Sequence, residues 1–220
     1  MKGVKIPTEV NLILKNLTEA GFEAHIVGGC VRDLLLNNTP KDWDITTNAT
    51  PDKLQELFPD NFYDNAFGTV SVKTGSEDPT LVIVQITPYR IEGKYTDKRH
   101  PNEVSFAKTL EEDLSRRDFT VNAIAMDTRG EITDPHSGRE DLEKQIIRTV
   151  GNPDERFGED ALRILRAVRF SASLGFMIEP TTIEAIKKHS NWLIAISKER
   201  IRDEFLKIIE SSRAHEGVEL

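Results

Sequence analysis

The stretch FEAHIVGGCVRDLLLNNTPKDWDITT, Phe22 to Thr47, constrains the fold more than any other part of the chain. FEAHIV reads as a strand that runs into Gly28 and Gly29, CVRDLLLNN as a short helix, and DWDITT as a second strand. Paired glycines at the end of an apolar strand let backbone N–H groups approach an anion, and a helix that follows points its positive end at the same place. Arg32, one turn into that helix, can reach back to a phosphate held at the glycines. Asp42 and Asp44 are two apart, so on a strand they project from one face, where paired carboxylates can share divalent cations. A plainer reading makes the glycines a tight turn and the aspartates a solvated edge beside Lys41. Two like charges on one strand face repel, however, and favour a cation or a basic partner.

Strand and helix alternate through the first 150 residues, which favours an α/β layer. TEVNLILKNLTEA, residues 8–20, reads as a helix capped by Thr8, with Val10, Ile13, Leu14 and Leu17 at helical spacing and Gly21 as its stop. Thr50 and Pro51 open a further helix, TPDKLQELF, and GTVSVKT and TLVIVQIT read as strands joined by GSEDP. Arg90 to Phe106 has no clean period and reads as a mobile loop. EEDLSRRDFTVNAIAMD predicts two short helical pieces leading into a strand, and GEITDPHSGREDLEK a turn and a small helix. Beyond Gly151, RFGEDALRILRAVRFSASLG, TTIEAIKKHSNWL and SKERIRDEFLKIIES read as three amphipathic helices with no strand between them, followed by a polar tail. The pattern predicts a head of residues 1–150 and a helical segment of residues 151–220.

Composition narrows the chemistry. The chain is 38% apolar and 30% charged, and contains neither a run of about 18 apolar residues nor a signal peptide, so a cytoplasmic protein without a membrane partner is expected. Cys30 is the only cysteine, which excludes an internal disulfide and thiolate clusters, and none of the five histidines stands at metal-ligand spacing to another. Any metal must therefore be held by oxygen or imidazole. A net charge of −8 argues against a nucleic-acid partner, yet SRRDFT and RILRAVRF are locally basic.

Those two clusters carry the remaining candidates. In RRDFTVNA, Arg116 and Arg117 can cover a triphosphate, while Asp118 and Asn122, four apart on a helix, can hydrogen-bond a ribose; the alternative is a helix start capped by Asp118. In EDALRILRAVRF, Asp160, Arg163, Arg166 and Arg169 recur every three residues, and an aspartate beside an arginine presents the acceptor and donor groups that a nucleobase edge can read. The alternative is an ordinary intrahelical ion pair of Glu159 and Arg163. Neither G-x-x-x-x-G-K-S/T nor a helix-opening G-x-G-x-x-G is present.

GGCVRD, DWD, RRDFTVNA and EDALRILRAVRF, in that order and with a basic loop before RRD, resemble the class II tRNA nucleotidyltransferases, or CCA-adding enzymes, and their bacterial poly(A) polymerase relatives in the polymerase-β-like superfamily. The likeness runs from about residue 23 to about residue 206. It implies a mixed-sheet α/β (α+β) nucleotidyltransferase head followed by an all-α neck. It further implies Mg²⁺ on Asp42 and Asp44; the triphosphate on Gly28, Gly29 and Arg32; nucleotide or primer on Arg116 and Arg117; and sugar on Asn122. Asp160 and Arg163 would select CTP and then ATP by pairing with the base edge, with Arg166 and Arg169 adding positive charge. The stretch from Arg90 to Phe106 resembles the loop that helps to switch specificity from C to A.

Two departures accompany the resemblance. In VQITPYR the family carries a glutamate, a third active-site carboxylate, where this chain has Gln85; a glutamine is neither a base nor an anionic ligand, so metal affinity or rate should fall. Relatives also continue into body and tail domains, whereas 220 residues hold a head and most of a neck. The expected activity is addition of CCA to tRNA 3′ ends from CTP and ATP. Its rivals are a poly(A) polymerase, a CC-adding or A-adding enzyme, and a nucleotide-binding module inactivated at Gln85.

Overall fold

The computed structural model describes residues 5–64, 68–92 and 104–220. The described residues form two compact units: one takes the chain through Ile91 with Val104–Arg116 and Asn122–His136, and the other takes Arg117–Val121 and Ser137–Leu220.

The first unit begins with α1 (Thr8–Glu19), which buries Val10, Ile13, Leu14 and Leu17 on one stripe. Each such fully buried aliphatic side chain contributes about 1.5–3 kcal/mol. Thr8 is not the cap: Pro7 is, with no side-chain bond, and Thr8 is the first helical residue. There follow β1 (Ala24–Val27), α2 (Gly29–Leu35), β2 (Asp44–Thr47) and α3 (Pro51–Leu57), the last with proline at its first position. Then come β3 (Asn61–Asp64), β4 (Thr69–Lys73), β5 (Ile83–Pro88), β6 (Arg90–Glu92) and β7 (Val104–Phe106). The unit is completed by α4 (Leu110–Ser115), β8 (Ala125–Met126) and β9 (Ile132–Thr133); of the 3-10 turn at Thr120–Asn122, only Asn122 belongs to this unit. The sequence did not announce β3. Of the loop expected over 90–106, the ends pair as β6 and β7, and residues 93–103 lie outside the described residues.

Among the described residues, seven strands form one mixed sheet in the order β3-β4-β5-β2-β1-β8-β9. β2 runs parallel to β5 and antiparallel to β1, so the strand opened by Asp44 lies inside the sheet, with Asp44 opposite Gln85. Ile26, Ile45 and Ile86 are fully buried across three neighbouring strands and fix this register, because a one-residue slip would turn each to the other face.

The second unit comprises α5 (Gly138–Lys144), β10 (Ile146–Ile147), α6 (Pro153–Glu159), α7 (Leu162–Leu174), β11 (Met177–Ile178), α8 (Pro180–His189), α9 (Lys198–Ile209) and α10 (Ala214–Glu219). It corrects three expectations. The helix read through EDALR is two helices broken at Asp160, whose φ of −140° and ψ of 105° are extended. A short strand, β11, pairs in parallel with β10 between the helices. The polar tail is helical: Gly217 lets α10 close on its neighbours, since a Cβ there would lie 2.7 Å from Ile208 Cγ2 and 2.9 Å from Ala172 Cβ. No helix among the described residues is long and apolar enough to cross a membrane.

Candidate active site

In the first unit the geometry starts at Gly28, whose φ of 79° and ψ of −131° suit glycine alone. Its N–H donates to Ile124 O at 3.1 Å, which ties the turn to the chain entering β8. At Gly29 an added Cβ would lie 3.6 Å from Arg32 Nη2 and 3.9 Å from Asp42 Oδ1, so the glycine, the guanidinium and the carboxylate border one small space. Arg32 is steered from two sides: Nε donates to Asp33 Oδ1 at 2.9 Å and Nη1 to Asn122 Oδ1 at 2.7 Å. Asn122, expected on a sugar, is buried here as a partner of Arg32.

Asp44 opens β2, but Asp42 lies in a bend before the strand, so strand alternation does not relate the two side chains. Cys30 Sγ lies 3.8 Å from Asp44 O, and its buried thiol is pushed up to about 12 by burial, with the charges of Asp44 and Asp42 adding to the rise. Gln85, exposed on β5, is paired with Asp44 and donates its N–H to Trp43 O at 3.0 Å. The oxygen donors gathered here, two carboxylates and one side-chain amide, fit a hard divalent cation. Among the described residues no group of three or more His, Cys, Asp or Glu could hold a metal ion; with glutamine at 85 the acids of this site are Asp42, in the bend, and Asp44, on β2.

Arg116, expected on the nucleotide or the primer end, is engaged by a carboxylate of its own helix. It ends α4, and its Nε and Nη2 donate to Asp113 Oδ1 at 2.9 and 2.7 Å.

In the second unit, half-buried Arg117 precedes Asp118, which lies in a bend ahead of the 3-10 turn and not four residues from Asn122 along a helix. Burial alone would raise the Asp118 carboxyl, but Arg166, donating from Nε to Oδ2 at 2.8 Å, holds it down to about 2 with help from Arg163 and the Phe119 N–H. Asp160, at the break between α6 and α7, accepts from Leu162 N–H at 3.0 Å and from Arg200 Nη2 at 2.7 Å. Arg163 is buried, with Nη1 against Glu159 Oε2 and 3.3 Å from Arg156 O. Arg169 Nε lies 3.0 Å from Glu204 Oε2, and its guanidinium sits 4.2 Å above the Phe170 ring. The charges of Arg166 and Arg169 are thus locally balanced. Arg200 was missed because nothing near it in sequence marks it as a partner of a residue 40 positions earlier.

Comparison with known proteins places the chain among relatives. Residues 24–148 match the family model of the poly(A) polymerase head domain, and residues 175–220 match one described as a probable RNA and SrmB binding site of polymerase A. The chain is 50% identical to the CCA-adding enzyme of Lactobacillus helveticus, over 89% of this chain and 48% of that protein. It is 47% identical to the one from Oceanobacillus iheyensis, over 94% and 51%. Among solved structures, the Bacillus stearothermophilus CCA-adding enzyme in complex with CTP superposes with a TM-score of 0.86 at 40% identity, over 95% of this chain and 50% of that one. The Thermotoga maritima CCA-adding enzyme complexed with tRNA gives 0.77 at 27% identity, over 96% and 48%. The chain therefore spans about half the length of the relatives it matches.

Proposed function

The chain belongs to the family of the poly(A) polymerase head domain, and on that footing we propose that it adds C, C and A to the 3′ end of tRNA from CTP and ATP. The observation that carries this reading is the meeting of Gly29, Arg32 and Asp42 around one space, with Asp44 and Gln85 side by side on the adjoining strands. Gly28 and Gly29 leave room for a triphosphate, and Arg32, aligned by Asp33 and Asn122, presents its guanidinium to it. Arg117 contacts the nucleotide or the primer end. Asp160 and Arg163 offer acceptor and donor groups to the base edge.

Enzymes of this kind generally use a divalent metal. Asp42 and Asp44 would hold Mg²⁺, with the Gln85 amide beside them; the chemistry such an ion would supply there is activation of a 3′-hydroxyl and charge neutralisation on a departing pyrophosphate. Residues 1–150 act as the catalytic head and residues 151–220 as a nucleotide-selecting neck, in the cytoplasm where tRNA is processed. Names of the relatives support the CCA reading, and the match to a poly(A) polymerase head keeps A-only polymerisation as the second.

The test is incorporation of labelled CTP and ATP onto a tRNA transcript lacking its CCA end, with Gln85→Glu alongside. Three added nucleotides support the proposal, and a long A tract supports the second reading. We expect Gln85→Glu to bind Mn²⁺ more tightly and to transfer faster, by about an order of magnitude or more. Nucleotide binding without transfer by either protein would refute the enzyme and leave a binding module.

A further inference from the structure

α4 carries a carboxylate where its pattern calls for an apolar residue. Leu110, Asp113 and Leu114 form its buried face, and Asp113 is 0% exposed. The helix is held in place by a capping box, in which Thr109 Oγ1 accepts from the Glu112 N–H and Glu112 Oε2 accepts from the Thr109 N–H. Around it lie Val27, Tyr89, Ala107 and Ala125, an apolar shell in which an ionised side chain is costly unless fully served with donors.

Asp113 is served from three elements at once. Its Oδ2 accepts from the Thr46 hydroxyl on β2 at 3.2 Å. Its Oδ1 accepts from the Arg90 backbone N–H, where β6 begins, at 3.3 Å, and from Arg116 at the end of α4. Thr46 stands two residues after Asp44 and therefore on the same face of β2. A single buried carboxylate thus fixes the strand that presents Asp44, the start of β6 and the guanidinium of Arg116.

We propose that Asp113 is a positioning residue for nucleotidyl transfer, acting through Thr46 on the strand of Asp44, and that Arg116 serves as its counter-ion rather than as a contact to nucleotide. This rests on the transfer reading above. A buried acid is retained in an apolar face because it sets the attitude of the metal-binding strand, as an outer-layer partner does in many metal sites.

Asp113→Asn, Thr46→Val and Arg116→Lys test it in a Trp192→Phe background, which leaves Trp43, between the two aspartates, as the one tryptophan. Mn²⁺ titration is followed by Trp43 fluorescence, and kcat and KM for CTP are measured on a tRNA transcript. Asp113→Asn should weaken Mn²⁺ binding and lower kcat, each roughly 10- to 100-fold, with KM for CTP nearly unchanged. Thr46→Val should shift both in the same direction by less, and Arg116→Lys should lower kcat and spare KM. Variants that lose only melting temperature, with Mn²⁺ affinity and kcat intact, overturn the proposal; a raised KM with kcat intact in Arg116→Lys overturns its counter-ion role. If Asp113→Asn fails to fold, Thr46→Val, which keeps the ion pair, decides. If the parent protein transfers no nucleotide, the transfer reading fails, and the Mn²⁺ titration still decides whether Asp113 positions the aspartates.

Discussion

Gly29→Ala separates stability from ligand binding at one atom. The new methyl would meet Arg32 Nη2 at 3.6 Å and Asp42 Oδ1 at 3.9 Å, both ordinary van der Waals distances, and Gly29 is not among the residues of positive φ. It opens α2, where alanine for glycine reduces the freedom of the unfolded chain and should stabilise by up to about 1 kcal/mol. The folded protein therefore has no reason to object. A phosphate does: the methyl fills the space between the backbone and the guanidinium, and would cost one or two charge-assisted hydrogen bonds, each about 1.5–3 kcal/mol. One such bond corresponds to a fall in CTP affinity of roughly 10- to 150-fold. Calorimetric titration of CTP into the variant, beside its thermal unfolding, gives both numbers. Unchanged CTP affinity with an unchanged or higher melting temperature would refute the placement of the triphosphate at Gly29.

Two further outcomes are expected. Asp118, held from an ordinary 3.8 down to about 2 against its own burial, contributes on the order of 2 kcal/mol that is fully present above about pH 4 and lost as pH falls toward 2. The difference in unfolding free energy between the parent and Asp118→Asn should accordingly narrow between pH 5 and pH 3; a difference constant across that range would show that the ion pair with Arg166 does not stabilise the fold. Asp160→Asn should weaken discrimination among CTP, ATP, GTP and UTP by about 1–3 kcal/mol, read from parallel binding titrations, and preserved selectivity would remove Asp160 from base recognition.

The local part of the fold was legible. α1 announced itself through Val10, Ile13, Leu14 and Leu17, and the turn at Gly28 through its paired glycines, because each is set by spacing or backbone freedom within a few residues. β10 and β11 were not, since two-residue strands have no period and pair only through a partner about 30 positions away. The break at Asp160 was hidden for a related reason. EDALR contains neither glycine nor proline, and the aspartate leaves the helix with its carboxylate engaged by Leu162 N–H and by Arg200, a tertiary partner. At the candidate site, the residue types were readable from DWD and GGCVRD, but the convergence of Asp42 on Gly29 depends on a bend that strand periodicity did not foresee. Arg116 and Arg117, adjacent and alike in sequence, fall into different compact units.

That division bears on how the protein can be taken apart. Arg117–Val121 belongs with Ser137–Leu220, while the residues on both sides of it belong with the sheet. Phe119 bridges to Thr149, Val150 donates to Asp118 O, and the Thr120 hydroxyl donates to Asp141. A recombinant fragment ending before residue 149 would strip this insert of its bridging partner Thr149, and a chimera joined there would mate it with a foreign one. Exchange of parts between relatives should therefore move Arg117–Val121 together with everything after Ser137 as one inherited block.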